Sequence, residues 1–311
     1  MRILLFGPAD QLGPPVEGVE VVDAPQSVAK AADPARAVRA NPDSSIVRAV
    51  RAVAAGDADA FVSGGSTGAA LAAGLFDVKR GRGIHRPALA VPVPVPGHPV
   101  TLLDVGANTE VRAEHLVQFA FMGAALSGVV LGIERPRVGL LSNGAEAVRG
   151  TALVQEVHAL LAAAPGLNWV GNVEGTDLTS GRADVVVTDG FTGNVALKAL
   201  EGASQATLGA VRDAATSSLR AKLGGLLLKP ALAGFRDQVD PENAGGAYLL
   251  GLRSLGVVPH GRFGRYGFSQ AILLAARGVS GDVVGRTHAA LEQAGALRAG
   301  AQPSDPSRSV T

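Results

Sequence analysis

The segments Ala58–Ala69 (ADAFVSGGSTGA) and Ala183–Ala196 (ADVVVTDGFTGNVA) decide the fold of this chain. Each runs through an acidic turn, a short apolar strand, a glycine-rich turn with Thr-Gly, and the start of a helix. This order directs the free backbone N–H groups of a helix N-terminus and a hydroxyl toward one point beyond the strand. Such a point binds an anion, and phosphate is the anion that we expect.

Strands alternate with helices along most of the chain. Apolar strands are predicted at Arg2–Gly7, Val100–Val105 and Arg137–Leu141, each followed by a loop or a helical pattern. Alternation of this kind predicts a mostly parallel sheet with helices on both faces, hence a three-layer α/β/α fold with ligands at the carboxyl ends of strands. Residues 1–300 are expected to form a single α/β unit, and residues 301–311 a disordered tail.

Composition excludes several classes of protein. The 311 residues are 47% hydrophobic but only 4% aromatic, so a core of Ala, Val and Leu is expected. The balance of 28 basic and 27 acidic residues gives no positive electrostatic field that would attract nucleic acid. The absence of cysteine excludes disulfides and thiolate metal sites and fits a reducing cytoplasm. The six histidines show no metal-ligand spacing, and no long uncharged apolar run predicts a membrane span.

The first glycine-rich turn has the composition of a phosphate cradle. Its glycines let the backbone approach a ligand, and its hydroxyls lie at a helix N-terminus. An ordinary strand–helix turn with a serine N-cap is the alternative. A P-loop is excluded because no lysine follows the glycines, and the next strand offers no acidic residue for a ribose. The candidate phosphate-binding residues here are Gly64, Gly65, Ser66, Thr67 and Gly68.

The second turn adds a cation to the same pattern. Thr192 and Gly193 lie in the turn, and Asn194 and Lys198 share a helix face one turn apart. An ammonium there would neutralise a phosphate held by the turn, whereas a solvated surface lysine is the alternative.

Two further strand ends carry polar residues, and a histidine follows a late strand. Asn108 closes the run Asp104–Asn108, and Asn172 lies in the run Val170–Gly175. His260 is a candidate for proton transfer. Turn capping is the default role of such Asp and Asn residues. We expect the four strand ends to converge on one crevice.

The segment Leu219–Phe235 is apolar and flanked by basic residues. Gly224-Gly225 and Pro230 argue against one continuous helix, so a protruding apolar helical hairpin is expected at about residues 215–240. Apolar tips rimmed by basic residues suit an anionic membrane surface, and packing in a dimer interface is the alternative. The candidate membrane contacts are Leu226, Leu227, Leu228 and Leu232.

Taken together, these residues resemble the bacterial phosphate acyltransferase family of phospholipid synthesis. The matching strings include SGGSTGAALAAG, DVGAN, GNVEG and DGFTGNVALK, within about Asp43 to Leu274. The resemblance implies conversion of an acyl carrier protein thioester and inorganic phosphate to acyl phosphate, with no metal or organic cofactor. It also implies a fold like that of isocitrate dehydrogenases and phosphotransacetylases, a homodimer, and a cytoplasmic protein whose hairpin touches the inner face of the membrane.

Roles follow from this reaction, in which phosphate itself is the nucleophile. Phosphate is expected at Ser66, Thr67, Thr192 and Lys198 with the backbone of Gly64, Gly65, Gly68 and Gly193. Oxyanion or orienting donors are expected at Asn108, Asn172 and Asn194, and His260 is the candidate acid for the leaving thiolate.

The chain also departs from the family pattern. The family opens with a strand ending in Asp-Ala-Met-Gly-Gly-Asp, which this chain lacks, and Ser66 and Arg262 replace the usual Asn and Ser. A catalytically degenerate member acting as a binding or scaffold protein is therefore one alternative. An acetyl-phosphate type phosphotransacylase and a dehydrogenase on the same fold are the others.

Overall fold

The computed structural model describes residues 1–14 and 16–298, without the side chains of residues 231–233, 236 and 237. An eight-stranded sheet has the order β3-β10-β9-β4-β5-β8-β6-β7, and β1 and β2 form a separate parallel pair. The strands are β1 Ile3–Gly7, β2 Val19–Asp23, β3 Ala60–Val62, β4 Ala88–Val93, β5 Val100–Leu103, β6 Arg137–Leu141, β7 Asn168–Val173, β8 Val185–Val187, β9 Ala247–Leu250 and β10 Leu255–Val258.

The large sheet is mostly parallel, with antiparallel pairs near its centre. β3 pairs with β10 in parallel, and β5, β8, β6 and β7 form a parallel set. Between these groups, β10–β9, β9–β4 and β4–β5 are antiparallel. Three antiparallel pairs separate β3 and β10 from β5 and β8, so the two groups run in opposite directions. Their carboxyl ends therefore lie at opposite ends of the sheet.

Helices cover both faces of the sheet, which confirms the three-layer α/β/α architecture. Strand residues alternate between the two cores: Leu103 and Val185 face one core, whereas Leu102 and Val186 face the other. Helices α4, α5, α9 and α10 supply the first core, and α2, α3 and α6 supply the second. The helices are α1 Pro34–Ala40, α2 Ser45–Ala55, α3 Thr67–Ala73, α4 Ala113–Val130, α5 Ala152–Ala162, α6 Gly190–Thr216, α7 Leu219–Val239, α8 Pro241–Ala244, α9 Arg265–Ser280 and α10 Val283–Gln293.

Two local sequence patterns are misleading. The stretch between Asp23 and Asp43 is rich in Ala, Pro and Arg and predicts a loop, but it contains α1, because Asp33 accepts a hydrogen bond from the backbone N–H of Arg36 and Pro34 occupies the first turn. The prolines within Ala88–Val95 predict an edge strand, but β4 lies between β9 and β5. Pairing with β9 ends at Ala90, so Pro92 lies beyond the part of β4 that is paired on both sides.

Among the described residues, α4 is the one helix long and apolar enough to cross a membrane. In the fold it is a core helix, with 61% of its residues buried. Its buried polar residues are satisfied: Ser127 hydrogen-bonds Thr101 of β5, and Gln118 donates to the Gly83 and Ala296 carbonyls.

Helices α6 and α7 form a helical hairpin. α7 is continuous, contrary to the expected break, although Pro230 lies inside it. Gly225 allows α7 to approach α6 closely, since a Cβ there would lie 3.2 Å from the Ala215 Cβ. The exposed leucines of α7 therefore lie on a regular helical surface.

Close packing of α4 on the sheet depends on Gly123. A Cβ at this position would lie 2.5 Å from Val185 Cγ1 and 2.8 Å from Leu103 Cδ2. We expect Gly123→Ala to lower the free energy of unfolding by about 1–3 kcal/mol, since the core must shift to admit the methyl group. Urea denaturation followed by circular dichroism measures the change.

Gly128 of the same helix provides the matched control. A Cβ there would lie at an ordinary 3.6 Å from the Ile133 carbonyl oxygen. Gly128→Ala should stabilise the protein by about 0.5–1 kcal/mol through helix propensity. Equal stability of the two variants would contradict the packing argument.

Candidate active site

The buried carboxylate of Asp104 organises the turn after β5. It accepts five hydrogen bonds: from the backbone N–H groups of Leu89, Gly106, Ala107 and Asn108, and from the Asn108 side chain. The residue has no solvent exposure. Burial raises the pKa of Asp104, while the N–H donors of Ala107, Asn108 and Leu89 act in the opposite direction. Asp104 thus fixes the turn to the start of β4.

The N-terminus of α6 packs directly on this turn. The Gly190 N–H donates to the Asn108 carbonyl, at 2.7 Å. A Cβ at Gly193 would collide with the Asp104 carbonyl oxygen, and one at Gly190 would lie 2.6 Å from the Asn108 carbonyl oxygen. Asn194 adds a hydrogen bond from Nδ2 to the Val105 carbonyl, at 3.0 Å. Only glycine at positions 190 and 193 permits this approach.

The first-turn N–H groups of α6 are largely used within the protein. Asp189 caps the helix, accepting from the Thr192 N–H through its side chain and from the Gly193 N–H through its carbonyl. Thr192 and Asn194 are themselves exposed. This turn is therefore a capped helix start rather than an open anion cradle.

The turn after β3 has a different hydrogen-bonding state. The Ser66 hydroxyl caps α3 by accepting from Ala69, and Ser63 accepts from the Gly65 N–H. Within the described part of the chain, no hydrogen bond is recorded for the N–H groups of Gly64, Ser66, Thr67 and Gly68. Of the two turns that look alike in sequence, this one keeps its donors free for an anion.

Lys198 lies in a charged cluster with residues distant in sequence. Its Nζ is 2.9 Å from Glu201 Oε2 and 3.0 Å from His260 Nε2. Arg262 Nη2 lies 3.5 Å from the same Glu201 oxygen. The structure thus brings together two of the predicted catalytic residues, Lys198 and His260.

The surroundings of His260 favour its neutral form. Its Nδ1 lies 3.2 Å from the Arg262 backbone nitrogen, and its Nε2 lies 3.0 Å from Lys198 Nζ. Neutral imidazole has one acceptor nitrogen and can accept from one of these two donors, whereas an imidazolium would present an N–H to both. Burial lowers the pKa of His260, the Lys198 and Arg262 charges lower it further, and Glu201 opposes them.

α6 carries Lys198 across the face of the sheet. The helix starts after β8, whereas His260 follows β10, which ends at the opposite edge. Eight residues of helix separate Gly190 from Lys198, a rise of about 12 Å, which is close to the roughly 13 Å length of a four-residue strand. The charged cluster consequently lies at the end of the sheet where β3 and β10 finish side by side. The Ser63 N–H donates to the Val257 carbonyl and joins these two strands there. The expectation that all four strand ends meet at the same end of the sheet is wrong.

The two remaining predicted asparagines are bonded within the protein. Asn108 donates both amide hydrogens, to the Pro87 carbonyl and to Asp104. Asn172 is fully buried, donates to the Glu146 carbonyl and accepts from His158 Nδ1, at 2.9 Å. Each fixes a loop at a strand end.

A cavity of about 960 Å³ adjoins the open turn. Its walls come from β1, β3, α2 and α9, and Ser63–Ser66 closes one part of it. Phe268 and Ile272 of α9 supply part of the apolar lining.

His85, Glu114 and His115 form a potential metal-ligand group, with ligand atoms within 4.8 Å of one another. His115 Nδ1 accepts the Arg112 backbone N–H and caps α4, which leaves the hydrogen on Nε2. Burial lowers the pKa of both histidines, the Glu114 charge opposes this shift, and nearby arginine charges add to it. The capping bond of His115 favours a structural role.

Glu201 was not singled out from the sequence. It follows Lys198 by one helical turn, a spacing at which an acid and a base interact on the same helix face. That spacing was the available signal, but ion pairs of this kind are common on exposed helices and do not indicate a site.

Comparison with known proteins assigns the family. A family model described as "Fatty acid synthesis protein" matches residues 1–286. Curated proteins named phosphate acyltransferase match from Lacticaseibacillus casei, at 46% identity over 84% of this chain and 78% of the relative, and from Lactococcus lactis subsp. cremoris, at 43% identity over 86% and 82%. The chain belongs to this fatty acid synthesis protein family, whose matched curated members are phosphate acyltransferases, as its motifs predict.

Solved structures agree on the fold. A phosphotransacetylase from Streptococcus pyogenes superposes with a TM-score of 0.58 at 15% identity, covering 90% of this chain and 94% of that chain. The EutD phosphotransacetylase from Staphylococcus aureus gives 0.56 at 16% identity, covering 89% and 94%. The phosphotransacetylase-like fold expected from the sequence is confirmed.

The geometry predicts how Lys198 affects its neighbour. Replacing Lys198 with Met removes one of the charges that lower the pKa of His260, so that pKa should rise. It should remain below the ordinary 6.5, because burial is the larger cause and is kept. Histidine side-chain NMR titration measures this shift.

Lys79→Met, a change at another exposed lysine, is the control and should leave the His260 titration unchanged. An unaltered His260 midpoint in Lys198→Met would show that the two side chains do not interact in solution.

Proposed function

We propose that the chain transfers an acyl group from acyl carrier protein to inorganic phosphate, giving acyl phosphate for phospholipid synthesis. The observation that carries this proposal is the pairing of an open N–H turn after β3 with the Lys198–His260 contact at the end of the neighbouring strand β10. Family membership supports the same reaction.

Phosphate is proposed to bind at the open turn. The free N–H groups of Gly64, Ser66, Thr67 and Gly68 point from a helix start, and the Thr67 hydroxyl is available beside them. Lys198 adds the positive charge that offsets desolvation of the dianion. Gly65 supports the turn, since its own N–H is held by Ser63.

The second group of predicted residues is proposed to orient this site. Thr192, Gly193 and Asn194 anchor the N-terminus of α6 on the Asp104 turn, which sets the direction along which Lys198 is delivered. Asn108 and Asn172 are proposed as orienting residues, because their amide hydrogens are donated to neighbouring loops. Their expected alternative role as oxyanion donors would require these bonds to open.

A neutral His260 suits a proton shuttle. Attack of a hydrogen phosphate oxygen on the thioester carbon forms the C–O bond, and the C–S bond breaks as the thiolate leaves. His260 takes the phosphate proton and delivers it to the thiolate sulfur, so no proton is gained or lost overall. Correct positioning contributes about 7–11 kcal/mol to the lowered barrier.

The test of the proposed reaction uses the full chain with acyl carrier protein thioester and phosphate. Trapping with hydroxylamine should detect phosphate-dependent acyl phosphate. A chain that binds the carrier but never forms acyl phosphate would be a degenerate family member. Turnover of acetyl-coenzyme A and phosphate, but not of the carrier protein thioester, would instead identify a phosphotransacetylase, the class of enzyme to which the fold neighbours belong.

Lys198 is the residue of the proposed site whose role can be tested most directly. Lys198→Met should raise KM for phosphate about tenfold to a hundredfold, the loss expected for a charged hydrogen bond, with unchanged thermal stability. Initial rates at varied phosphate measure the effect, and Lys79→Met is the control. An unchanged KM would remove Lys198 from the phosphate site.

Membrane contact is proposed for one face of α7. Leu219, Leu223, Leu226 and Leu227 share a stripe about 100° wide and are 67–82% exposed. The stripe points away from the face that packs on α6 through Gly225. Arg220 flanks it on one side, and Lys222 and Lys229 on the other. Of the predicted membrane contacts, Leu226 and Leu227 lie in this stripe, and the side chain of Leu232 lies outside the described residues.

A flotation assay distinguishes the faces of α7. Leu226→Glu with Leu227→Glu should abolish binding to vesicles that contain anionic phospholipid, since a buried leucine contributes about 1.5–3 kcal/mol. Leu228 was also predicted as a membrane contact, but on the continuous helix α7 it lies on the face opposite the stripe, so Leu228→Glu should bind almost as well as the wild type.

If the double variant floats normally but becomes monomeric in light scattering, the stripe is a dimer interface instead. A homodimer and a cytoplasmic location with transient membrane contact remain part of the proposal. They rest on the family resemblance and on this exposed stripe.

A further inference from the structure

Arg262 lies between the charged cluster and the open turn after β3. The chain reverses after His260, where the Phe263 N–H donates to the His260 carbonyl at 2.9 Å. Helix α9 follows, and a Cβ at Gly64 of the open turn would lie 3.1 Å from Phe268 Cε2 of that helix. The chain between His260 and Phe268, which includes Arg262, therefore links the charged cluster to the open turn.

The guanidinium of Arg262 keeps most of its donors free. An arginine side chain has five N–H donors, and this side chain is 65% exposed. Among the described residues, the single hydrogen bond or ion pair recorded for this guanidinium is the 3.5 Å contact with Glu201, which is long for a hydrogen bond. Arg262 also occupies the position where the family usually carries serine, so this cation distinguishes the present chain. Its donors are available to an anionic ligand.

Glu201 pairs with both cations of the charged cluster. Its Oε2 lies 2.9 Å from Lys198 Nζ and 3.5 Å from Arg262 Nη2, and its Oε1 lies 3.2 Å from the same ammonium. The side chain of Glu201 is only 17% exposed, so this carboxylate is more buried than either of its partners. A carboxylate oxygen between an ammonium and a guanidinium occupies a place that suits one oxygen of a phosphoryl group.

We propose that Arg262 is a second cationic contact for the phosphoryl group, beside Lys198, and that Glu201 is the positioning residue that holds both cations in the empty site. The role of Arg262 rests on the proposed phosphate site. When the dianion binds, its oxygens replace the Glu201 carboxylate as acceptors from the two cations. When acyl phosphate leaves, Glu201 pairs with them again. The exchange avoids leaving two adjacent cations to repel each other in the empty site.

Titration calorimetry of the full chain with inorganic phosphate tests the Arg262 contact without requiring turnover. Arg262→Ser introduces the residue usual in the family and should raise the dissociation constant for phosphate about tenfold, the loss expected for one charged hydrogen bond. Arg262→Lys keeps the charge and should retain part of the affinity. Arg286→Ser removes an exposed arginine of α10, on the other face of the sheet from α6, and should leave the dissociation constant unchanged.

Glu201→Gln tests the exchange. The amide keeps an acceptor oxygen for Lys198 but removes the negative charge that competes with phosphate, so phosphate should bind about threefold to tenfold more tightly. A residue that only held Lys198 in place would give weaker binding instead. The gain should shrink when Arg262 is already serine, and a double-mutant cycle measures this coupling. Asp213→Asn removes an exposed carboxylate further along α6 and is the control.

The outcomes separate this role of Arg262 from the proposed function. Unchanged phosphate affinity in Arg262→Ser, together with weaker binding in Lys198→Met, would overturn the second contact and leave the proposed phosphate site in place. Phosphate binding in Glu201→Gln that is no tighter than in the wild type would overturn the exchange. Absence of phosphate binding to the wild-type chain would overturn the proposed site and the role of Arg262 together.

Discussion

The hydrogen bonds to the buried Asp104 carboxylate hold the structure of the site together. A carboxylate in the core is costly unless its oxygens are satisfied, and here five N–H donors satisfy them. The same bonds set the path of the turn to Asn108. That turn provides the surface on which α6 begins, so the direction of α6 is determined at Asp104.

The direction of α6 explains how distant residues form one site. The first residues of α6 contact the loop that follows Asp104. Two to three helical turns further along, Lys198 and Glu201 lie beside His260. A sheet with antiparallel central pairs has strand ends at both edges, and a long helix on one face connects them. The charged cluster and the open turn after β3 are thereby placed on neighbouring strand ends.

Much of this could be predicted from the sequence, and the reasons for the rest are physical. The alternation of strands and helices gave the three-layer fold, and the DGFTGNVALK and SGGSTGAALAAG strings indicated the family. Strand direction could not be predicted, because it depends on which strands become neighbours in the sheet, and the apolar sequence of a strand does not show its neighbours. The difference between the two glycine-rich turns was also hidden, because it depends on whether a neighbouring loop uses the N–H groups. Pro230 misled the prediction for α7, since a helix can lose one backbone bond and continue.

The contact of Gly190 and Gly193 with the Asp104–Asn108 turn also constrains how this family diverges. Backbone there lies against backbone, with no side chain that could shrink to compensate for a larger neighbour. A residue larger than glycine at either position would force the turn to move and would break bonds to the carboxylate. A substitution on the other segment, some eighty residues away in the chain, cannot relieve such a contact, so both glycines are expected to persist where the rest of the sequence changes.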